Sequence, residues 1–354
     1  MRRRCSIDTM RDVAERAGVS ISTVSHVVNE TRPVSDELRG RVLAAIEVLG
    51  YQPNTLARGL RRGQTHTIGM IVPDSANPFF AEVGRGVEDA SFEYGYSVIL
   101  CNSDGDLDKE LMYTRVLAEK RVDGIILVAA GVSTEHIRAM QAQRMPLVVV
   151  DRDIPDVAVD SVLTDNARGG ELATRHLLGL GHRRIGCIAG PSDVTPSADR
   201  VTGYRRVLKE FGLPVDECLI VKGDFQCESG YQATYSLLTM DNPPTAIFAC
   251  NDMMAIGAIC EAFELGWQVP DEVSVVGFDD VRLASLTNPP LTTVAQPKYE
   301  MGTVVTKLLI ERMRDLDRPA RRRVLDVSIL VRQSTARRNA VVGIDRASVG
   351  ALHT

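Results

Sequence analysis

The sequence lacks any paired-cysteine motif. Its seven cysteines (Cys5, Cys101, Cys187, Cys218, Cys227, Cys250 and Cys260) are scattered, odd in number and never spaced as C-x-x-C. That argues against a disulfide framework or a structural zinc site and fits a reducing cytosol. No apolar run approaches the ~18 residues that would span a bilayer. The opening Met-Arg-Arg-Arg-Cys-Ser-Ile-Asp is charged with no apolar stretch behind it, unlike a signal peptide. A soluble, cytoplasmic chain with no membrane partner is expected. Catalytic signatures are missing too: there is no G-x-x-x-x-G-K, no G-x-S-x-G and no histidine pair at metal-binding spacing. Gly84-Arg85-Gly86 opens like a dinucleotide fingerprint, but Asp89 stands where the third glycine is needed. Neither an enzyme, a cofactor nor a metal is expected.

What is present is a long chain of ordinary globular composition, with 354 residues, 44% hydrophobic and 25% charged. That length implies two or three domains. The net charge is −5, yet residues 1–65 hold 11 arginines against 7 acidic side chains. A basic N-terminal module on an acidic body points to nucleic acid, the alternative being chance clustering on a solvated face.

Three short helices are predicted within residues 9–49. Thr9 can cap the first, with Asp12 three residues on in a capping-box arrangement. Gly18-Val19-Ser20 makes a turn, Ser22–Val28 forms the second helix, and Ser35-Asp36-Glu37 opens the third. In the third, Leu38, Val42, Ile46 and Leu49 recur at helical spacing, and Gly50 sits where a terminating glycine belongs. A small residue at Ala14, a turn glycine at Gly18 and inward Val19 and Val24 have the logic of a helix-turn-helix. Its second helix presents Ile21, Ser22, Thr23, Ser25, His26 and Asn29, mostly short polar groups suited to base edges and phosphates. The headpiece is placed at 1–53, a hinge helix and linker at 54–64, a core at 65–336 and a loose tail at 337–354.

From Thr67 onward, β-rich apolar runs alternate with amphipathic helices: Ile68–Val72, Ser97–Leu100, Gly124–Val128 and Leu147–Val150. The rhythm restarts at Ile185–Ile188, Leu219–Val221, Ala246–Ala249 and Ser274–Val276. Continuous apolar strands between helices predict an α/β fold with two doubly wound parallel-sheet lobes. A cleft should lie between the C-terminal ends of their strands. Strands crossing between the lobes are expected near 163–166, 295–297 and 323–326.

Residues 9–62, from Thr-Met-Arg-Asp-Val-Ala-Glu-Arg-Ala-Gly-Val-Ser to Ala-Arg-Gly-Leu-Arg-Arg, resemble the headpiece of the LacI/GalR repressor family. The likeness runs on to about Ala336 and implies two lobes of periplasmic-binding-protein type. It also implies that Ser22 and His26 contact bases, that Arg32 contacts guanine, and that Asn54–Arg62 is a hinge helix folding on operator DNA. Leu60 matches a leucine that wedges into the central base step from the minor groove. An apolar Leu60 flanked by Arg58, Arg61 and Arg62 suits that role physically, the alternative being packing between hinge and core. Asn54, Arg58 and Arg61 join the DNA-contacting set. Ile21 departs from the polar or aromatic residue common in the family, and it can touch a thymine methyl but donates nothing.

A sugar site needs aromatic faces with charged or amide groups for hydroxyls. Asn77, Phe79, Phe80, Asp151, Arg152, Arg200, Phe225, Asn251, Asp279 and Gln296 fall at expected strand ends. They also resemble, position by position, the pentose cleft of periplasmic ribose-binding proteins. Ala129 departs, standing where that site has a hydroxyl-binding asparagine. The whole-chain texture is most similar to ribose operon repressors. The resemblance implies a homodimer on a pseudo-palindromic double-stranded operator, with ribose or a related pentose as inducer. A purine- or nucleoside-responsive repressor, with effector as corepressor, is the alternative of the same class. A sugar-transport binding protein is the alternative of another class, against which the attached DNA module speaks.

Overall fold

A computed structural model describes residues 9–29, 31–51, 64–128, 134–154, 156–191 and 195–338. Two compact units emerge: the chain up to Thr67 with Arg121–Asp123, and the remainder. In the first, α1 (Met10–Ala17) starts at Thr9, whose hydroxyl accepts from the Asp12 amide. The Asp12 carboxylate accepts in return from the Thr9 amide at 2.6 Å, so the expected capping box is formed. Gly18 ends α1 at φ 62°, a left-handed conformation that a side chain would strain. The Arg41 guanidinium fastens the turn by donating to the carbonyls of Ala17 (2.7 Å) and Gly18 (3.1 Å). After the turn come α2 (Ile21–Asn29) and α3 (Asp36–Leu49), the latter closed by Gly50. Val13, Ala14, Ala17, Val24, Val27, Val42 and Ala45 form the small core, with Val19 and Ile46 packed against it.

The second unit holds two six-stranded sheets. The first contains β1 (Thr67–Val72), β2 (Ser97–Asn102), β3 (Gly124–Leu127), β4 (Leu147–Val150), β5 (Asp160–Thr164) and β11 (Arg322–Leu325). Their spatial order is β11-β5-β4-β3-β1-β2. The second contains β6 (Ile185–Ala189), β7 (Ile220–Lys222), β8 (Ala246–Ala249), β9 (Ser274–Asp279), β10 (Thr292–Ala295) and β12 (Ser328–Leu330), ordered β12-β10-β9-β8-β6-β7. Pairing is parallel from β6 through β10, and only β12 runs antiparallel on its edge. Central strands are wholly buried, as in β3, β4, β8 and β9, which explains their unbroken apolar sequences. The chain passes between sheets three times: after β5, between β10 and the helix beginning at Lys298, and between β11 and β12.

Eight helices complete the described residues of this unit: α4 (Pro78–Glu93), α5 (Leu107–Glu119), α6 (Glu135–Ala142), α7 (Asn166–Gly179), α8 (Thr195–Glu210), α9 (Cys227–Leu238), α10 (Asp252–Glu264) and α11 (Lys298–Arg314). Three pairs cross backbone to backbone at glycine. A β-carbon on Gly86 of α4 would lie 2.2 Å from the Tyr299 carbonyl of α11. One on Gly170 of α7 would lie 2.1 Å from the Arg200 carbonyl of α8, and one on Gly230 of α9 would lie 2.2 Å from that of Met254 in α10. Each contact has its reciprocal, at Gly302, Gly203 and Gly257.

The Ala336 amide donates to the Ser274 hydroxyl and the Arg338 amide to the Leu180 carbonyl; the rest of the expected tail, 339–354, lies outside the described residues. No helix among the described residues is long and apolar enough to cross a membrane.

Candidate functional site

In the first unit, α2 carries the expected readers. Ile21 is 47% exposed, and Ser22 and Arg32 also face solvent. Several polar groups are already engaged locally. The Ser20 hydroxyl bonds those of Ser22 (2.7 Å) and Thr23 (2.8 Å). The His26 Nδ1 meets the Thr31 hydroxyl at 2.8 Å, which orients the ring and directs Nε2 away from that partner. The Asn29 amide donates to the Ser25 carbonyl at 2.8 Å and to its hydroxyl. Ser25 and Asn29 are thus paired with each other, and Ile21, Ser22 and Arg32 lie on the exposed side. Asn54, Arg58, Leu60 and Arg61 lie outside the described residues, as does Ala129 in the core.

In the second unit, a cavity of about 260 Å³ opens between the two sheets at the C-terminal ends of their strands, the scale of a single small ligand. Nine of the ten cleft residues expected from sequence line it: Asn77, Phe79, Phe80, Asp151, Arg152, Arg200, Phe225, Asn251 and Asp279. Local structure explains their placement. Asn77 and Asn251 are the N-caps of α4 and α10, each accepting a backbone amide through Oδ1. Asn251 also donates from Nδ2 to the Phe225 carbonyl at 2.9 Å. Phe79 and Phe80 meet edge to face at 5.0 Å. The Phe225 ring occupies the space that a β-carbon on Gly190 would need.

The charged groups form two doublets. Asp151 and Arg152 follow β4, both more than nine-tenths buried. Arg200, from α8, donates to Asn166 Oδ1 (2.8 Å) and the Cys250 carbonyl (2.5 Å), lies 3.8 Å over the Phe278 ring and stands 3.6 Å from Asp279. Burial pushes the Asp151 carboxyl up, against the pull of Arg200 and Arg152. Burial likewise pushes Asp279 up to about 6, with Arg200 and the Gln296 hydrogen bond opposing. Asp151 Oδ1 is buried and accepts no hydrogen bond among the described residues. A buried acceptor left open in a cavity is an invitation to a ligand donor.

Gln296 is the exception. Instead of lining the cavity it lies behind Asp279, donating to Asp279 Oδ1 at 2.7 Å while accepting from the Thr164 hydroxyl at 2.5 Å. Both ends of its amide are used within the protein, so it positions Asp279 across two of the sheet crossovers. Sequence reasoning missed Asp74, Asp104, Asp224 and Gln226, which also line the cavity. Each sits just past a strand end, at β1, β2 or β7, so the rule that found the others would have found these. Four non-glycine lining residues hold positive φ: Asp104 (54°), Asp151 (70°), Phe225 (71°) and Asp279 (112°). Such backbone costs about 1–3 kcal/mol each and clusters at ligand sites.

Two doublets of acid and base, aromatic edges and capped helix N-termini suit a small polyhydroxyl ligand. Among the described residues no cluster of His, Cys, Asp and Glu could hold a metal ion.

Comparison with known proteins agrees on both units. Residues 65–333 match the family described as periplasmic binding proteins and sugar-binding domain of the LacI family, and residues 9–54 match the bacterial regulatory proteins of that family. The Ribose operon repressor of Escherichia coli K12 is 44% identical over 86% of this chain and 93% of its own. The HTH-type transcriptional repressor PurR of Photobacterium profundum is 40% identical over 92% and 98%. Among solved structures, the lac repressor dimer bound to operator and the anti-inducer ONPF superposes with TM-score 0.85 at 29% identity, covering 94% of this chain and 100% of that one. A LacI family regulator from Enterococcus faecium with bound ribose gives TM-score 0.71 at 34% identity, covering 77% and 100%. With a helix-turn-helix unit and a two-lobed effector core both matched, this chain belongs to the LacI family of bacterial transcriptional regulators.

Proposed function

We propose that the chain is a sequence-specific repressor released from its operator by a free pentose, ribose, bound in the cleft. The observation that carries this reading is the pair of buried doublets, Asp151/Arg152 and Arg200/Asp279, with Asp151 Oδ1 open to a ligand donor. Sugar hydroxyls both donate and accept, and so can meet carboxylate and guanidinium at once. Relatives support it: a ribose operon repressor and a regulator with bound ribose both align along the core. One recognition helix per chain offers few base contacts, so the protein acts as a homodimer on a pseudo-palindrome, as the operator-bound lac repressor dimer does.

Lobe closure on the sugar requires contacts from both sheets, and effector can shift operator affinity only by its differential affinity for the two arrangements. Leu60, with Arg58 and Arg61 as phosphate anchors, is assigned the minor-groove wedge, and Asn54 the start of the hinge. The protein is not an enzyme: its cleft groups hold hydrogen bonds and set no nucleophile beside a base. A second reading, a purine as corepressor, is favoured by the 40% identity to the PurR repressor. Operator affinity, measured by fluorescence anisotropy with and without saturating ribose and hypoxanthine, separates them. Weaker binding with ribose supports induction, and tighter binding with hypoxanthine supports the purine reading. No response to ribose rejects it as effector.

A further inference from the structure

Across the mouth of the cleft, one side chain ties the two lobes together. Gln226, following β7, donates from Nε2 to Asp74 Oδ2 at 3.0 Å, and Asp74 follows β1 in the other sheet. The Gln226 amide also donates to Asp224 Oδ1 at 2.8 Å. Two carboxylates, one from each lobe, are thus gathered on a single residue at the rim, and all three line the cavity. Asp74 is held further by the Ala76 amide at 2.9 Å. Neither Asp74 nor Asp224 meets a basic side chain among the described residues. Asp104, the third rim acid, is neutralised by Lys109.

Inside, two acids match two guanidinium groups in charge: Arg200 stands against Asp279, and Arg152, next to Asp151 in the chain, draws on its carboxyl, each acid more than nine-tenths buried. Arg200 is in addition spent on Asn166, the Cys250 carbonyl and the Phe278 ring. A ligand that carries a phosphate therefore has no favourable orientation. Pointed outward, the phosphate meets Asp74 and Asp224. Pointed inward, it competes with Asp151 and Asp279 for guanidinium groups that already have counter-ions, in a buried place where like charges repel strongly.

We infer that the Asp74–Gln226–Asp224 rim makes the cleft selective for uncharged ligands, so that the protein senses the free sugar and rejects its phosphorylated form. This rests on the sugar-cleft reading and adds to it the charge state of the effector.

Calorimetric titration of the full-length protein with ribose and with ribose 5-phosphate tests the inference. Repulsion from the two rim carboxylates, together with that from the buried acids inside, predicts ribose 5-phosphate binding about a hundredfold more weakly than ribose. Asp74→Asn combined with Asp224→Asn keeps the acceptor oxygens that hold Gln226 but removes both charges, and should narrow that ratio by about tenfold. Equal affinities in the wild type, or an unchanged ratio in the double variant, would overturn the inference. Absence of ribose binding in the wild type fails the pentose reading instead. Hypoxanthine against inosine monophosphate then supplies the same comparison of neutral and phosphorylated ligand at the same rim.

Discussion

Replacing Asp279 with asparagine removes a buried negative charge and turns one acceptor oxygen into a donor while keeping the shape. The carboxylate is 4% exposed, receives Gln296 Nε2 at 2.7 Å and balances Arg200 at 3.6 Å. A charge-assisted hydrogen bond to a ligand hydroxyl contributes about 1.5–3 kcal/mol, so ribose should bind Asp279→Asn roughly 10- to 150-fold more weakly. Stability should fall by less than the ~3–5 kcal/mol typical of breaking a buried pair, since Asn166, the Cys250 carbonyl and the Phe278 ring still hold Arg200. The wild type carries an independent signature. Burial raises the Asp279 carboxyl to about 6, and ligand donors favour its ionised form, so binding must pull that value down. Affinity is therefore complete above about 6 and falls as pH drops through it. At pH 5 about a tenth of Asp279 is ionised, which weakens binding by about tenfold. Titrations of both proteins between pH 5 and 8 provide the assay. Ribose binding that is independent of pH in the wild type, together with an Asn variant within twofold of it, would refute the role given to Asp279.

Gly230→Ala should lower the melting temperature of the core, because its β-carbon would lie 2.2 Å from the Met254 carbonyl and forcing the helices apart costs about 1–3 kcal/mol; a scanning-calorimetry Tm equal to the wild type would contradict that crossing. Asp160, 1% exposed, receives Arg312 Nε at 2.8 Å and Arg318 Nη2 at 2.7 Å, so Asp160→Asn takes the one carboxylate from two guanidinium groups that keep only backbone carbonyls and should cost about 3 kcal/mol in denaturant unfolding. Ribose affinity below the denaturation midpoint should be retained, since Asp160 lies at the opposite end of β5 from the cleft crossover. His26→Ala should lose about 1–3 kcal/mol on operator but much less on random duplex; equal losses on both in anisotropy titrations would remove its base-reading role.

The parts of the fold written as apolar runs were legible because central parallel strands are buried on both faces. β3, β4 and β8 fall where the runs placed them. β5 and β11 were visible only as crossovers. β5 opens on Asp160, polar because arginines meet it there, and β11 lies at the sheet edge with Arg322, Arg323 and Val324 exposed. Neither presents an apolar run to read. In the cleft, residue type and strand-end position, with the resemblance to the ribose-binding cleft, collected nine lining residues, although Arg200 among them stands on α8 rather than at a strand end. They could not distinguish Gln296, which braces Asp279, from a group that faces the ligand. The positive φ of Asp151, Phe225 and Asp279 leaves no trace in a sequence, since none of them is glycine. Nor does the tie of Arg338 to Leu180, made through backbone alone.

The glycine crossings have a bearing on motion. Where Gly86 meets Gly302, where Gly170 and Gly203 let α7 meet α8, and where Gly230 and Gly257 let α9 meet α10, the helices touch through main chain at those glycines. Shear motions work by small rotamer adjustments between packed helices, and at those points of closest approach none is available. Each lobe is thereby built to turn as a block, and the bending that admits or seals in a ligand falls on the three sheet crossovers. Gln296 spans two of them by holding Thr164 and Asp279. Lys298, on one of them, donates to the carbonyls of Asp279 and Asp280 at 2.7 Å each. Asp279, a buried acid of the cleft lining, is therefore bolted to the axle about which the lobes would swing.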